Sequence, residues 1–189
     1  MAAVESRMLA LGTQAPAFAL PDPDGVVHEL RDGSDAYLVM FICNHCPFVK
    51  HVRGELARIG DEFGRRNIAI YAINSNDVTT HPGDSPENMK QEAKDWNYTF
   101  PYLYDAEQSV AKSYLAACTP DFFLFDRERK LVYRGQLDDS RPTNSIPVDG
   151  RDLRAALEAV LSKTPVAELQ NPSIGCNIKW RPGNEPDYA

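Results

Sequence analysis

The junction between residues 37 and 49 constrains this chain more than any other stretch. Tyr37 to Ile42 is an unbroken apolar run of strand length, and a strand without polar alternation belongs in a sheet covered on both faces. Beyond it Phe48, Val52, Leu56, Ile59 and Phe63 recur at helical spacing, with Lys50, Arg53, Arg58 and Asp61 on the other side and Gly64 able to end the helix. Asn67 to Asn74 then reads as a second buried strand, so strand, helix and strand form one right-handed βαβ unit. At its turn stands Cys43-Asn44-His45-Cys46. Two cysteines three apart at a first helical turn share a side, close enough for a disulfide or a metal.

A helix N-terminus carries unpaired N–H groups and roughly half a positive charge, which favours thiolate over thiol. Cys43 enters the turn first, is expected to be the more exposed thiol, and is assigned as the attacker. Cys46, one turn on and covered by Phe48 and Val49, is the resolving thiol. Asn44 and His45 stand between them as modulators, and a protonated His45 adds positive charge near the sulfur. A stabilised thiolate also leaves readily, which tilts the pair towards oxidant or isomerase rather than strong reductant.

A Cys-x-x-Cys can also be half of a zinc site. The four cysteines and four histidines contain no second Cys-x-x-Cys and no His-x-x-x-His to complete one. No metal and no bound cofactor are therefore expected. Four cysteines in 189 residues do not make a disulfide scaffold, and in a reducing compartment they read as catalytic or metal-binding. A net charge of −7 and a pI near 5.1 argue against nucleic acid or anionic membrane as partners. The first residues lack the order of charges and the apolar length of a secretory signal, and no stretch approaches the ~18 apolar residues of a membrane helix. The expected location is cytoplasmic, although a mature exported form would look the same.

Elsewhere, two short apolar segments around Pro23-Asp24-Gly25 predict a hairpin within residues 12–30. Ser85 caps a helix that opens at Pro86 and turns Met89, Ala93 and Trp96 inward. Phe100 to Tyr104 is a short strand, and Asp105 caps a helix carrying Val110 and Leu115. Phe122–Phe125 and Leu131–Gly135 form a hairpin. Asp149-Gly150 precedes a last helix with Leu153, Leu157, Val160 and Leu161 inside. The class is α/β, a mixed sheet with helices on both faces. Residues 1–165 form the domain; the tail, 166–189, has no periodicity but carries Ile174, Ile178 and Trp180, too apolar for a solvated end. It is expected to lie extended against the body.

These residues resemble the thioredoxin-like superfamily, in the redoxin or AhpC/TSA branch shared by peroxiredoxins and cytochrome-maturation thioredoxins. Three markers in order carry the likeness: Gly12-x-x-Ala15-Pro16-x-Phe18-x-Leu20 with Gly25, Cys43-x-x-Cys46, and Thr119-Pro120-Asp121-Phe122-Phe123-Leu124. The resemblance spans Leu11 to Gln136 and implies a thioredoxin-like fold. It also implies a cis bond at Pro120 facing the disulfide, with the backbone of Thr119 available to a substrate strand. The chain departs from the family pattern at Ile42, often Trp, and at Tyr37, a buried acid in thioredoxin itself, which leaves the base for Cys46 unassigned. The peroxiredoxin pattern Pro-x-x-x-Thr-x-x-Cys is absent.

Cys118, two residues before Pro120, is either a third redox thiol or a small buried hydrophobe. Cys176 lies in Ser173-Ile174-Gly175-Cys176-Asn177-Ile178-Lys179-Trp180, and either this tail folds back towards Cys43 to shape the substrate groove or it simply packs. His28, His51 and His81 have no cysteine or acid at ligand spacing and read as surface or satisfied polar residues. The expected function is thiol-disulfide exchange with protein disulfide or dithiol partners and a thiol reductant. The alternatives are a thiol peroxidase with antioxidant activity and a binding module whose cysteines are structural.

Overall fold

The computed structural model describes residues 3–189. In chain order the elements are β1 (Ala3–Glu5), β2 (Ala19–Pro21), β3 (Val27–Glu29), β4 (Ala36–Phe41), α1 (Pro47–Gly64), β5 (Ile68–Asn74), α2 (Pro86–Asp95), β6 (Tyr102–Tyr104), α3 (Ser109–Ser113), β7 (Cys118–Thr119), β8 (Asp121–Phe125), β9 (Leu131–Gly135), α4 (Arg151–Leu161) and β10 (Ile174–Asn177), with a 3₁₀ turn over Pro82–Asp84. The main sheet has the order β6-β5-β4-β8-β9. Its β4, β5 and β6 run parallel, and β8 and β9 are antiparallel to their neighbours. This is the thioredoxin-like mixed sheet.

The central position of β4 follows from its composition, since all six of its residues are no more than 1% exposed. Alternate side chains feed two cores. Leu38 and Met40 pack with Val52, Leu56, Ile59 and Phe63 of α1, Met89 of α2, and Leu153 and Leu157 of α4. Tyr37, Val39 and Phe41 face Phe18 and Leu20 of the N-terminal hairpin together with Val110 and Ala111 of α3. Helices on both faces thus fix the end of β4, and with it the place where Cys43 leaves the sheet.

Ser85 accepts a hydrogen bond from the Asn88 backbone N–H and Pro86 opens α2, the expected cap. Three expectations about packing need correction. Helix α3 ends at Ser113, and Leu115 lies beyond it at a φ of 52° and 36% exposed, because the chain turns there towards β7. Val160 and Leu161 are only half-buried, the inner face of α4 being Leu153, Ala156 and Leu157. In α2 only Met89 is fully buried, while Trp96 stacks under the Arg53 guanidinium at 4.1 Å.

The tail contributes β10 to a small three-stranded sheet of order β1-β10-β7. Strand β10 is its middle strand, with Cys176 opposite Ala3 on one side and Thr119 on the other. Beyond it Ile178 is buried and donates its N–H to the Ala117 carbonyl at 3.0 Å. Among the described residues no helix is long and apolar enough to cross a membrane.

Candidate active site

Helix α1 begins at Pro47, so Cys46 is its N-cap and Cys43 lies in the bend before it. Proline suits a first helical position because its missing N–H would have no partner there. The expected greater exposure of Cys43 is not found: Cys43 is 1% and Cys46 0% exposed. The Pro82–Asp84 turn and the segment through Thr119 both contact this bend and hold the cysteine turn in the interior.

Thr119 meets both sulfurs. Its Oγ1 lies 3.2 Å from Cys43 Sγ, and its carbonyl oxygen accepts from Cys46 Sγ at 3.2 Å. The Thr119–Pro120 bond is cis, as the resemblance implied. The Thr119 backbone, however, is not open to a substrate strand, because β10 of the same chain already pairs with it antiparallel. The approach is so close that a Cβ on Gly175 would fall 2.0 Å from the Thr119 carbonyl oxygen, so only glycine fits. Cys43, Cys46 and Cys176 belong to one buried cluster, with Cys176 on β10 directly opposite the Thr119 that both sulfurs of the turn contact.

Asp84 organises the other side, and its carboxylate is fully buried. It accepts from the backbone N–H groups of Asn44 (2.8 Å) and His45 (3.1 Å), from His45 Nδ1, and from Asn76 Nδ2 (2.8 Å). Burial pushes its pKa up, but the hydrogen bonds from His45, Asn76 and Asn44 outweigh this and hold it below the usual carboxylate value. Asn44 also donates to the Gly83 carbonyl and accepts from the Tyr102 hydroxyl, which fixes the bend from a third direction. Asn76 Oδ1 receives the Lys179 N–H at 2.8 Å, tying the tail to the same network. Nothing in the spacing of the sequence pointed to Asp84, Asn76 or Tyr102.

The two thiols of the pair diverge. Hydrogen bonding from Cys43, opposed by burial and aided by Cys176 and the backbone N–H groups of Val49 and Cys176, lowers Cys46 to about 5. Burial, the hydrogen bond to Cys46 and the charge of Asp84 push Cys43 well above its ordinary value. The easily ionised sulfur at rest is therefore Cys46 rather than Cys43, for two reasons. The helix starts one turn later than the spacing predicts, and a carboxylate faces Cys43. Each sulfur influences the ionisation of the other, so the first proton lost belongs to the pair.

Cys118 is fully buried, its thiol 3.6 Å from the Pro120 carbonyl and its pKa raised well above normal by burial and then by Asp121. That environment suits the small buried hydrophobe. His28 is paired with Asp22 and His51 with Ser140. His81 is a satisfied polar residue, its Nδ1 2.9 Å from the Thr80 hydroxyl; its ring centroid lies 4.9 Å from that of His45, and burial, then the charges of His45 and Lys179, lower its pKa. One donor atom each from Cys43, His45 and Asp84 lie within 4.8 Å of one another. The Asp84 oxygens there already accept four hydrogen bonds, from the Asn44 and His45 backbone, the His45 ring and the Asn76 amide.

The chain resembles known proteins in both sequence and fold. It is 28% identical over 131 residues to the thiol-disulfide oxidoreductase ResA of Geobacillus thermodenitrificans (strain NG80-2), covering 67% of this chain and 70% of the relative. It is similar to the solved structure of an uncharacterized conserved protein from Geobacillus kaustophilus, with 58% identity, a TM-score of 0.94, and 97% and 98% of the two chains covered. A hypothetical protein from Sinorhizobium meliloti 1021 follows at 52% identity and a TM-score of 0.93, over 95% of this chain and 99% of that one. A putative thiol:disulfide interchange protein DsbE from Chlorobium tepidum shares the fold at 21% identity and a TM-score of 0.63, over 81% and 99%. The family model described as AhpC/TSA matches residues 11–134. That span takes in the N-terminal hairpin, the cysteine turn and the cis-proline, and by this match the chain belongs to the AhpC/TSA family.

Proposed function

We propose that the protein is a thiol-disulfide oxidoreductase that exchanges disulfides with protein or small-thiol partners through Cys43 and Cys46. One observation carries this reading: two buried thiols three residues apart both contact Thr119 beside the cis-proline, Cys43 at its hydroxyl and Cys46 at its carbonyl. The name of the ResA relative supports the same class of reaction.

At rest the charge sits on Cys46. Transfer of the Cys43 proton to Cys46 leaves a Cys43 thiolate beside the Thr119 hydroxyl, which can donate to it. That thiolate attacks the partner's S–S bond and expels one partner thiolate. Cys46 then loses the proton it received, attacks the Cys43 sulfur of the mixed disulfide and expels the second. The partner leaves as one thiolate and one thiol, and the protein as the Cys43–Cys46 disulfide, so protons and electrons balance. Asp84 and His45 border Cys43 and supply the acid–base pair on that side.

Trapping tests the assignment. Cys46→Ser is expected to accumulate mixed disulfides through Cys43 with a model disulfide, and Cys43→Ser is not; equal absence of adducts in both would reject it. The AhpC/TSA match favours one second reading, oxidation of Cys43 by a hydroperoxide to sulfenic acid followed by resolution by Cys46. Peroxide consumption by the reduced protein, lost in both serine variants, would support it.

A further inference from the structure

In a site that exchanges disulfides with a strand laid against Thr119, this chain fills that position with its own β10. The register places Cys176 directly opposite Thr119 and Asn177 opposite Cys118. Gly175 sits against the Thr119 carbonyl and the Pro120 nitrogen, closer than any side chain would permit. The strand is held on its far side by β1, at its start by the Ser6 N–H to the Ser173 carbonyl (2.9 Å), and after its end by Ile178 and Lys179. A cysteine is therefore carried by the strand that occupies the partner's place, buried in one cluster with Cys43 and Cys46 and opposite the residue whose carbonyl accepts from Cys46.

We propose that Cys176 is a third redox thiol, which exchanges with the Cys43–Cys46 disulfide to give a Cys46–Cys176 disulfide and a free Cys43. The proposal rests on the reading of Cys43 and Cys46 as an exchanging pair. The step is an internal exchange. The Cys176 thiolate attacks the sulfur of Cys46, the Cys43–Cys46 bond breaks, and Cys43 leaves as a thiolate that takes up the proton Cys176 released. No electrons are gained or lost, and the oxidising equivalents are those the partner disulfide delivered. Cys43 is thereby re-armed while the oxidation is stored against the tail.

The protonation of the site gives this step an order. Burial, and after it the hydrogen bond and the charge of Cys46, push Cys176 up to about 12, so in the reduced protein it stays a thiol and does not compete with the pair. Once Cys46 is in a disulfide its negative charge is gone, and two of those opposing influences go with it. Cys43, held well above its ordinary pKa by burial and by Asp84, is the sulfur that most readily keeps the returned proton.

The test is disulfide mapping of the full chain. Reduced protein is treated with oxidised glutathione, quenched in acid and alkylated, and its peptides are mapped without reduction. Both Cys43–Cys46 and Cys46–Cys176 linkages are expected in the wild type. Cys43→Ser is expected to lose two alkylation sites together as an internal Cys46–Cys176 bond. Alkylation of Cys176 in every oxidised wild-type molecule, with Cys43→Ser giving only glutathione adducts or intermolecular dimers, would overturn the proposal. Cys176→Ser separates this failure from that of the parent reading. A Cys43–Cys46 disulfide there, with no Cys176 linkage in the wild type, leaves the exchanging pair standing and removes only the third thiol. Absence of the Cys43–Cys46 bond in both proteins removes both.

Discussion

At the scale of single residues the decisive group is Asp84, a buried carboxylate that holds two backbone N–H groups of the cysteine turn and the His45 ring. It raises the Cys43 pKa by charge and stiffens the bend by hydrogen bonding. The two effects separate in substitution. In Asp84→Asn the charge is gone while one oxygen still accepts, so Cys43 is expected to ionise at lower pH, read as a downward shift in the midpoint of its alkylation rate. The new NH₂ group faces Asn76 Nδ2 and His45 Nδ1, and the mismatch is expected to destabilise the fold by about 1–3 kcal/mol in denaturant titration. An unchanged midpoint would show that Asp84 acts on geometry alone. The two cysteines themselves are readable from their spacing. Asp84 is not, because only the return of the chain after β5 brings it beneath the turn.

At the scale of elements, β10 governs access. The cysteine turn is closed by a strand that is also the middle member of a three-stranded sheet, so opening it breaks pairing on both sides. Gly175→Ala puts a methyl group 2.0 Å from the Thr119 carbonyl oxygen, and backbone cannot move aside as a flexible side chain would. The expected result is a loss of stability of about 1–3 kcal/mol, with Cys46 and Cys176 alkylated faster in the native state because the strand lifts from β7. Stability and labelling equal to wild type would mean that β10 does not shield the pair. Removal of the whole tail from Ser173 also takes Ile178 from the core and leaves β1 unpaired. The elements around β4 were legible because their apolar period reports burial on two faces. Strands β1, β7 and β10 carry no such period, since each is two to four residues long and is specified by its partners.

For the whole molecule the proposed Cys43–Cys46 couple ties reduction to pH. Between about 5, where Cys46 ionises, and the high pKa of Cys43, two electrons enter the disulfide with one proton. The reduction potential of Cys43–Cys46 is therefore expected to fall by ~30 mV per pH unit around neutrality and by ~59 mV per unit below about pH 5. A slope of ~59 mV throughout would place both thiols in their ordinary range. Linkage gives a matching trend in stability. The Cys46 pKa in the folded reduced protein lies below the ~8.5 of an unfolded thiol. Its contribution is thus full above ~8.5 and is lost as pH falls through about 5. Cys43 and Cys176 have the opposite sign, since their raised values contribute below ~8.5 and that contribution is lost at higher pH. Reduced protein, followed by thermal unfolding, is expected to gain stability from pH 5 towards ~8 and to lose it in stronger alkali. Oxidised protein is expected to lack the acid-side rise.

By itself the sequence determined the βαβ core, the two-sided burial of β4, the cap of α2 and the placing of Cys43 and Cys46 at the entry to α1, because each is a local pattern or a spacing within one element. Only the tertiary structure decided which sulfur carries the charge, what lies beneath the turn and what covers it. Those depend on a carboxylate, a carbonyl and a C-terminal strand brought together from distant parts of the chain. An electrostatic field at one atom is a sum over everything folded around it, and no window of sequence contains that sum.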